Sequence, residues 1–313
     1  MTNYTMVTEF LLETFGNEWE LRLLNSVLFL LMYLITLLGN ILIIAATTLD
    51  KKLHTPMYFF LRNLSMLDIC YISVTVPNAC VTSLTNNRAI SVAGCATQIF
   101  LVIYFAIIEI MFLTIMAHDR YVAICQPLHY PVIMNHQFCV RMTLLSLFSG
   151  LVYSGVHTGN TFRLNFCQSN VVHQFFCDVP SLLLLSCSDT FSNEILILVS
   201  AIVVCGGCFI FIAISYSHIF STVLKFSSKE RGKAFSTCIP HILVVSVFLS
   251  SISYVYLKPS VTSEAIQDII PSVLYTIVPP LLNPIIYSLR NKQVKDAVKK
   301  VLLRISYCFD YCF

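Results

Sequence analysis

Long apolar runs follow one another along the whole chain, and shorter polar stretches separate them. A membrane-spanning helix needs about 20 mostly apolar residues, and seven runs reach that length. None of them alternates over about ten residues, as a strand of a membrane barrel would. We therefore expect an all-α membrane protein whose seven spans lie at residues 23–49, 56–82, 95–122, 140–161, 193–224, 235–257 and 267–289.

The two ends of the chain are more polar than its middle. Residues 1–22 have no basic start, so we expect the first apolar run to stay as a membrane helix rather than to be a cleaved signal peptide. Residues 291–313 mix basic and apolar positions at helical spacing, which predicts a short amphipathic helix on a membrane surface. Its apolar positions are Val294, Ala297, Val298, Val301 and Leu302. The expected fold is a seven-transmembrane helix bundle, residues 23–290, followed by this eighth helix.

The composition supports a membrane protein. Hydrophobic residues make up 57% of the chain, charged residues only 11%, and the mean hydropathy is +0.79. A soluble domain carries about 25% charged residues, so a soluble fold of this sequence would lack the charge to cover its surface. The formal net charge is only +3. Its excess basic residues lie between apolar runs, which indicates a membrane face rather than a nucleic-acid-binding surface.

The distribution of Lys and Arg predicts the orientation of the bundle. Cytoplasmic loops of membrane proteins carry an excess of these residues. With the N-terminus outside, only Arg22, Arg88, Arg163 and Lys258 of the 19 basic residues lie on the outer side. We therefore expect an extracellular N-terminus, a cytoplasmic C-terminus and a multi-pass location in the plasma membrane. The sequon NYT then lies outside, and Asn3 is a candidate glycosylation site.

Four of the 13 cysteines lie on the predicted outer side. They are Cys95, at the start of the third span, and Cys167, Cys177 and Cys187, in the loop before the fifth. That side is oxidising, so these cysteines can form disulfides. Four cysteines allow three pairings, and the spacing alone does not choose among them. We expect two disulfides that fold the loop into a lid over the bundle.

Four polar side chains lie inside apolar runs. Asp68 and Glu109 fall near the middles of the second and third runs, and Asn40 and Asn283 fall in the first and seventh. Ionisable groups in a membrane are costly and usually functional, so we expect the four to share a polar centre. Two carboxylates there repel each other unless one is protonated or a cation lies between them. A sodium ion with water is one candidate, and a hydrogen-bond network without an ion is the other.

Charged residues also mark the end of the third run. From Cys95 to Arg120 is about 37 Å of helix, so Asp119 and Arg120 lie at the opposite end of this span from the outer cysteine. An arginine there is either held by its neighbouring carboxylate or released to another acceptor. That is how a switch that reports outer binding to the inside would behave, although a plain positive-inside anchor is the alternative reading of these two residues.

Signatures of catalysis are missing from the sequence. It has no HExxH, no P-loop, no nucleophile elbow and no His/Cys spacing typical of zinc. An intramembrane aspartyl protease needs two aspartates, and Asp68 alone is available in the spans. We therefore expect neither an enzyme nor a cofactor. The prolines of the seventh run suit a transporter, but the two halves of the chain show no repeat.

Several motifs occur together in an order and spacing that resemble a known family. They are LLGN (37–40), LHTPMYFFLRNLSMLDIC (53–70), MAHDRYVAICQPLHYPVIM (116–134), FFCDVPSLLLLSCSD (175–189), SYSHI (215–219), KAFSTCIPH (233–241) and PPLLNPIIYSLRN (279–291). The chain resembles the rhodopsin-like G-protein-coupled receptors and, within them, the olfactory receptors of vertebrates. In that family the outer cysteines pair as Cys95 with Cys177 and Cys167 with Cys187.

The resemblance implies roles for the matching positions. Asp119, Arg120 and Tyr121 match the motif that couples family members to a G protein. The other positions that match switch residues of the family are Tyr216, His241, Asn283, Pro284 and Tyr287. Asp68, Glu109 and Asn40 match its central polar cluster.

The outer halves of spans three, five, six and seven should form the ligand pocket, since ligand sites of bundles lie between helices. The candidate positions are Val102, Ile103, Ala106, Ile107, Ser200, Ala201, Val204, Ile252, Ser253, Tyr256, Tyr275 and Thr276. This set is apolar with a few hydroxyls and no charge, so we expect a small, neutral, largely apolar ligand that makes one hydrogen bond.

We therefore expect an odorant receptor. A small volatile ligand would favour an open cytoplasmic face around Arg120, and the resemblance implies coupling to the heterotrimeric G protein of the olfactory stimulatory type and a rise in cyclic AMP. The alternative is a rhodopsin-like receptor for a non-odorant small molecule. A transporter or channel is a more distant one.

Overall fold

Helices make up most of the structure, a computed structural model that describes residues 7–14, 18–85, 87–167, 169–257 and 276–312. In chain order they are α1 Trp19–Leu49, α2 Pro56–Thr85, α3 Val92–Cys125, α4 Tyr130–Ile133, α5 His136–Thr161, α6 Val179–Leu184, α7 Phe191–Ala201, α8 Gly207–Val223, α9 Ser228–Leu257, α10 Val278–Arg290 and α11 Lys292–Cys312. A short 3₁₀ turn, Lys51–Leu53, precedes α2. A π-helical turn, Ile202–Gly206, joins α7 to α8, so these two helices form one continuous rod.

Six helical segments within the described residues are long and apolar enough to cross a membrane. They are Trp19–Leu49, Pro56–Thr85, Val92–Cys125, His136–Thr161, Phe191–Val223 and Ser228–Ser250. These segments overlap the first six apolar runs of the sequence. The seventh run, residues 267–289, is described only from residue 276 onward. Its described part includes α10, which packs against α1, α2 and α9 and so takes the seventh place in the bundle.

Helix α3 lies at the centre of the bundle, because it contacts α2, α5, α8 and α9. Its buried positions begin at Cys95 and extend to Val122. Gly150 is where α5 comes closest to it. A Cβ added to this glycine would lie 3.0 Å from Cγ1 of Ile108 and 3.1 Å from the ring of Tyr104. The absence of a side chain at this position therefore sets how tightly α5 packs on α3.

The outward faces of the peripheral helices carry large exposed apolar side chains. Leu38 on α1, Phe148 on α5 and Phe209 on α8 are examples. Contiguous apolar surface of this kind is unfavourable in water but matches the hydrocarbon of a bilayer. The packing thus agrees with a bundle whose polar groups turn inward and whose apolar groups face lipid.

A small mixed sheet covers one end of the bundle, which we call the N-terminal face. Strand β1, Glu9–Leu12, lies between β2, Ala89–Ser91, and β3, Val171–Val172. It pairs antiparallel with β2 and parallel with β3. Its side chains Phe10 and Leu12 are buried in an apolar cluster above α3. The hydropathy pattern of residues 1–22 did not predict this strand.

Two disulfides hold the loop between α5 and α7 on the N-terminal face. Cys95 at the start of α3 bonds Cys177, with Cα atoms 5.5 Å apart, and Cys167 bonds Cys187, with Cα atoms 5.8 Å apart. This is the pairing of the resembled family. The first bond ties the loop to the central helix, and the second closes the loop on itself.

The opposite end of the bundle, the C-terminal face, carries α11. The side chains of Val294, Ala297 and Val301 are buried, as the amphipathic pattern predicts, and the helix packs along α1. Nζ of Lys300 donates to Oδ2 of Asp50 at 2.8 Å. This hydrogen bond and charge hold the pKa of the Asp50 carboxyl below its usual value.

Candidate functional site

A buried polar centre joins α2, α3 and α10. Nδ2 of Asn283 donates to both carboxylate oxygens of Asp68, at 3.2 and 3.0 Å, and to Oε1 of Glu109 at 3.4 Å. The side chains of Asp68 and Glu109 are only 1% and 3% exposed. Three of the four polar residues that the sequence singled out therefore meet at one amide group.

The polar centre contains more hydrogen-bond acceptors than donors. Two carboxyl groups supply up to four oxygens, whereas the amide of Asn283 supplies two N–H groups. Within the described part of the chain, no group of three or more His, Cys, Asp and Glu side chains could hold a metal ion. The possible cation ligands here are the carboxyl oxygens of Asp68 and Glu109, which suit a hard cation such as sodium rather than a transition metal.

Asn40, the fourth polar residue, supports the seventh helix at a proline. Pro284 lacks an N–H and so leaves the carbonyl four residues earlier without its helical partner. That carbonyl belongs to Pro280, and Nδ2 of Asn40 donates to it at 3.1 Å. Gly39 lets the helices approach, because a Cβ there would lie 3.0 Å from Cγ of Pro284. Gly39 therefore makes room for α10 at Pro284, and Asn40 satisfies the free carbonyl of Pro280.

Two further polar atoms are buried near this region. Oδ1 of Asn40 and the hydroxyl of Tyr287 have no hydrogen-bond partner among the described residues. Both side chains are fully buried. Buried polar atoms without a protein partner are usually satisfied by ordered water, so this interior suits a hydrated polar core.

Near the C-terminal end of α3, Asp119 bonds a tyrosine rather than the neighbouring arginine. The hydroxyl of Tyr130 on α4 donates to Oδ1 of Asp119 at 2.7 Å, and the carboxylate is 1% exposed. Arg120 is half-buried and makes neither a hydrogen bond nor a salt bridge with Asp119 in the described structure. Its guanidinium is thus available to other acceptors on this face.

Tyr130 stays a hydrogen-bond donor under ordinary conditions. Its burial and the nearby carboxylate of Asp119 both raise the pKa of the phenol above its usual value. The phenol therefore keeps its proton at neutral pH and continues to donate to Asp119.

A second bridge joins α3, α8 and α9, starting from a position on α3 about 9 Å before Asp119. Nε2 of His241 lies 2.9 Å from the carbonyl oxygen of Leu113, and Nδ1 lies 2.7 Å from the hydroxyl of Tyr216. A carbonyl only accepts, so Nε2 carries the proton and Tyr216 donates to Nδ1 of the neutral ring. Two of the positions that match switch residues of the family are therefore bonded to each other and to the central helix.

The positions expected to line the ligand pocket are distributed over four segments of the chain. On α3, Val102, Ile103 and Ala106 are half-buried, while Ile107 is buried. On the rod of α7 and α8, Ser200, Ala201 and Val204 are half-buried. The backbone of α9 includes Ile252, Ser253 and Tyr256, but their side chains lie outside the described part, as do Tyr275 and Asn3. Thr276 is fully buried.

Ser200 uses its hydrogen-bonding capacity within the protein. Its hydroxyl donates to the carbonyl oxygen of Ile197 at 3.1 Å. It also lies 3.0 Å from Nε2 of His157 and 3.0 Å from the hydroxyl of Tyr153. A hydroxyl has one hydrogen and two lone pairs, so both neighbours donate to Ser200 and its capacity is filled. A ligand would have to displace one of these bonds to reach it.

Some residues of the site carried no clear signal in the sequence. Tyr58 at the start of α2 donates to Oε1 of Gln293 at 2.7 Å and accepts from Nδ2 of Asn291 at 3.1 Å. These bonds tie α2 to the junction of α10 and α11. Tyr58 lies two residues after Pro56 in the motif PMY, and Tyr130 directly precedes Pro131 in the motif HYP. A tyrosine close to a proline at the start of a helix was the hint that the sequence offered.

Comparisons with known proteins agree with this architecture. The family model described as olfactory receptor matches residues 29–305. Human olfactory receptor 14C36 is 66% identical over 308 residues, which cover 98% of this chain and 99% of that protein. Human olfactory receptor 14A16 is 51% identical over 299 residues, covering 95% of this chain and 96% of that protein.

A solved structure shares the fold. The crystal structure of squid rhodopsin superposes with a TM-score of 0.72 and covers 94% of this chain and 88% of that chain. The identity is only 19%, so this likeness concerns the architecture alone, which is a seven-transmembrane helix bundle.

Proposed function

This chain belongs to the olfactory receptor family of multi-pass G-protein-coupled receptors, which are not enzymes, and we propose that it detects a small, neutral, largely apolar odorant and activates the olfactory stimulatory G protein. The observation that carries the proposal is the match of the family model over residues 29–305. Activation of this G protein raises cyclic AMP.

The proposal for the ligand rests on the chemistry of the expected pocket. The positions Val102, Ile103 and Ala106 on α3 supply apolar surface without charge. An amine ligand would need an acidic group in the outer half of α3, and Glu109 instead bonds Asn283 in the buried polar centre. A neutral ligand that makes one hydrogen bond with one of the expected hydroxyl groups suits this set.

The proposal for coupling rests on the arrangement at the C-terminal face. We infer that this face is cytoplasmic and the N-terminal face extracellular, because most basic residues lie toward the former. Arg120 makes no hydrogen bond or salt bridge with Asp119, so its guanidinium can bond the G protein. The bridge of Leu113, His241 and Tyr216 joins the three helices around it. Ligand binding would shift the equilibrium toward an arrangement that admits the G protein α subunit.

Two smaller proposals accompany the main one. A sodium ion would bind at Asp68 and Glu109, where it would balance two buried carboxylates and favour the arrangement that keeps them close. Asn3 would carry a glycan, since its sequon precedes the first span on the side that we infer to be extracellular.

The test is a cyclic AMP assay in cells that express the chain with the olfactory stimulatory α subunit, across a panel of neutral volatile compounds. A response that requires this subunit supports the proposal. Ala106→Leu narrows the expected pocket and should weaken the response at equal surface expression. Ala213→Leu, the same change on an exposed position of α8, is the matched control and should respond as the unchanged chain does.

Two outcomes would contradict the proposal. One is solute flux or current in cells that lack the G protein, which would indicate a transporter or channel. The other is a response to non-volatile amines or acids alone, which would indicate a receptor for a different class of ligand.

A further inference from the structure

A crevice lies between α3, α5 and α8, about halfway along the bundle. Its volume is about 350 Å³, at the lower end of the range of small-molecule pockets, which is roughly 300–1,000 Å³. Helices α3 and α5 each contribute two side chains one turn apart to its wall, and the α7–α8 rod contributes two pairs of adjacent residues. They include Ile107 and Met111 on α3, Ser149 and Tyr153 on α5, and Gly207 and Cys208 on α8.

The crevice faces the lipid rather than the polar centre. Val203, which lines it, is 66% exposed, and Ile202 beside it is also exposed. Both lie in a segment that crosses the membrane, so the medium at the mouth of the crevice is hydrocarbon. An occupant would therefore come from the bilayer and would have to be uncharged. None of the residues that line the crevice carries a charge.

One wall of the crevice offers two hydroxyl groups. Ser149 makes no hydrogen bond within the described structure, whereas Thr143, Ser146 and Ser154 on the same helix all bond carbonyls of the preceding turn. Serines in a helix usually make that bond. The hydroxyl of Tyr153 donates a hydrogen bond to Ser200, so the oxygen of Tyr153 can still accept one. The wall therefore presents the hydroxyl of Ser149, which can both donate and accept, one turn from the oxygen of Tyr153, which can accept.

The opposite wall is open because of local features of the α7–α8 rod. The π-helical turn Ile202–Gly206 inserts an extra residue into the helix, and such bulges recur at functional sites. Gly207 follows directly, and a Cβ added there would meet no atom within 4 Å. The crevice is thus kept open by a glycine rather than filled by a side chain.

From these features we propose that the crevice is a second binding site, which takes an uncharged lipophilic alcohol from the membrane. The hydrocarbon body lies against Ile107, Met111 and Cys208. The hydroxyl donates to Oη of Tyr153 and accepts from Ser149. An alkane of equal length would leave Ser149 without a partner and binds less tightly. Ile107 and Val204 also line the crevice and are candidate positions of the expected ligand pocket, so the proposal is distinguished from the proposed function by Ser149, Tyr153 and Gly207, which are not in that set.

The test uses the full-length chain in lipid nanodiscs and a photoreactive diazirine analogue of 1-decanol, with the labelled positions identified by mass spectrometry. We expect saturable labelling around residues 149–153 and 207–208. Unlabelled 1-decanol should compete, and decane should compete at least about fivefold less well, as the loss of a hydrogen bond implies. The substitution S149A removes one of the two proposed hydrogen bonds and should therefore reduce that difference.

A matched pair of variants tests the location. Gly207→Leu fills the crevice and should abolish the saturable labelling. Gly206→Leu adds the same side chain at a neighbouring position that also has open space but does not line the crevice, and it should leave labelling unchanged. If Gly207→Leu does not fold, Cys208→Phe places a large side chain at the next lining position of the same wall. Non-saturable labelling of all lipid-facing helices, equal loss in both glycine variants, or equal competition by decane and decanol would overturn the proposal.

Discussion

Replacing Asn40 with leucine should destabilise the bundle because it removes the support of the seventh helix at its proline. Leucine has a similar volume, so the change isolates the polar contact from a packing defect. The amide of Asn40 donates to the carbonyl oxygen of Pro280 at 3.1 Å, and the side chain is fully buried. A buried carbonyl left without a partner costs about 1–3 kcal/mol of folding free energy.

The reasoning makes a sharper prediction for a pair of substitutions. In Pro284→Ala the restored N–H can bond the carbonyl of Pro280 within the helix, so this oxygen no longer needs Asn40. The loss caused by Asn40→Leu should then shrink by about 1–2 kcal/mol relative to the same change in the unaltered chain. A coupling of this size and sign follows only if the two residues serve the same carbonyl.

The assay is thermal unfolding of the purified full-length chain in detergent, measured for both single variants and the double variant. A change of 1 kcal/mol corresponds to a midpoint shift of roughly 2–4 °C. Asn63→Leu is the matched control. Among the described residues Asn63 bonds only the carbonyl of Phe59 in its own helix, a bond that corresponds to the one between Asn40 and Thr36. Additive effects of the two substitutions would refute the role assigned to Asn40.

Three further predictions follow from local contacts. Gly150→Val should cost about 1–3 kcal/mol of stability and lower the thermal midpoint, because the added side chain would collide with α3. Gly155→Val is the control and should leave the midpoint unchanged, because a side chain there meets no atom within 4 Å. Tyr130→Phe should cost about 1–3 kcal/mol in the same assay, since it leaves the buried carboxylate of Asp119 without its donor; an unchanged midpoint would contradict that bond. Because the pKa of Asp50 is lowered in the folded protein, its bond with Lys300 contributes fully to stability above the usual pKa of 3.8. This contribution is lost as the pH falls below that value. The fall in thermal midpoint between pH 5 and pH 3 should therefore be smaller in Asp50→Asn.

The sequence carried enough information to place most helices and the polar centre. Hydrophobic runs of about 20 residues have few alternatives to a membrane helix, and the described helices follow them. Asp68, Glu109 and Asn283 could be predicted to meet because polar groups in lipid must find partners inside the protein.

Other contacts depend on chain geometry that periodicity does not report. The strand Glu9–Leu12 forms only because two distant loops offer it backbone partners. The bond from Tyr130 to Asp119 depends on how the loop after α3 folds back. Ser200 looked like a ligand contact by position, yet side chains of α5 fill its hydrogen-bonding capacity. Which way a half-buried hydroxyl turns is decided by its neighbours in space.

The central claim is that Arg120 transmits ligand binding to a G protein, and guanine-nucleotide exchange on the purified olfactory stimulatory α subunit tests it most directly. The unchanged receptor, Arg120→Ala and Arg141→Ala would be compared at equal amount with an active compound from the volatile panel. Arg141 is an exposed arginine at the same end of the bundle and serves as the matched control. We predict that exchange is lost only in Arg120→Ala while that variant still binds the compound. Ligand-driven exchange that persists in Arg120→Ala would contradict the account.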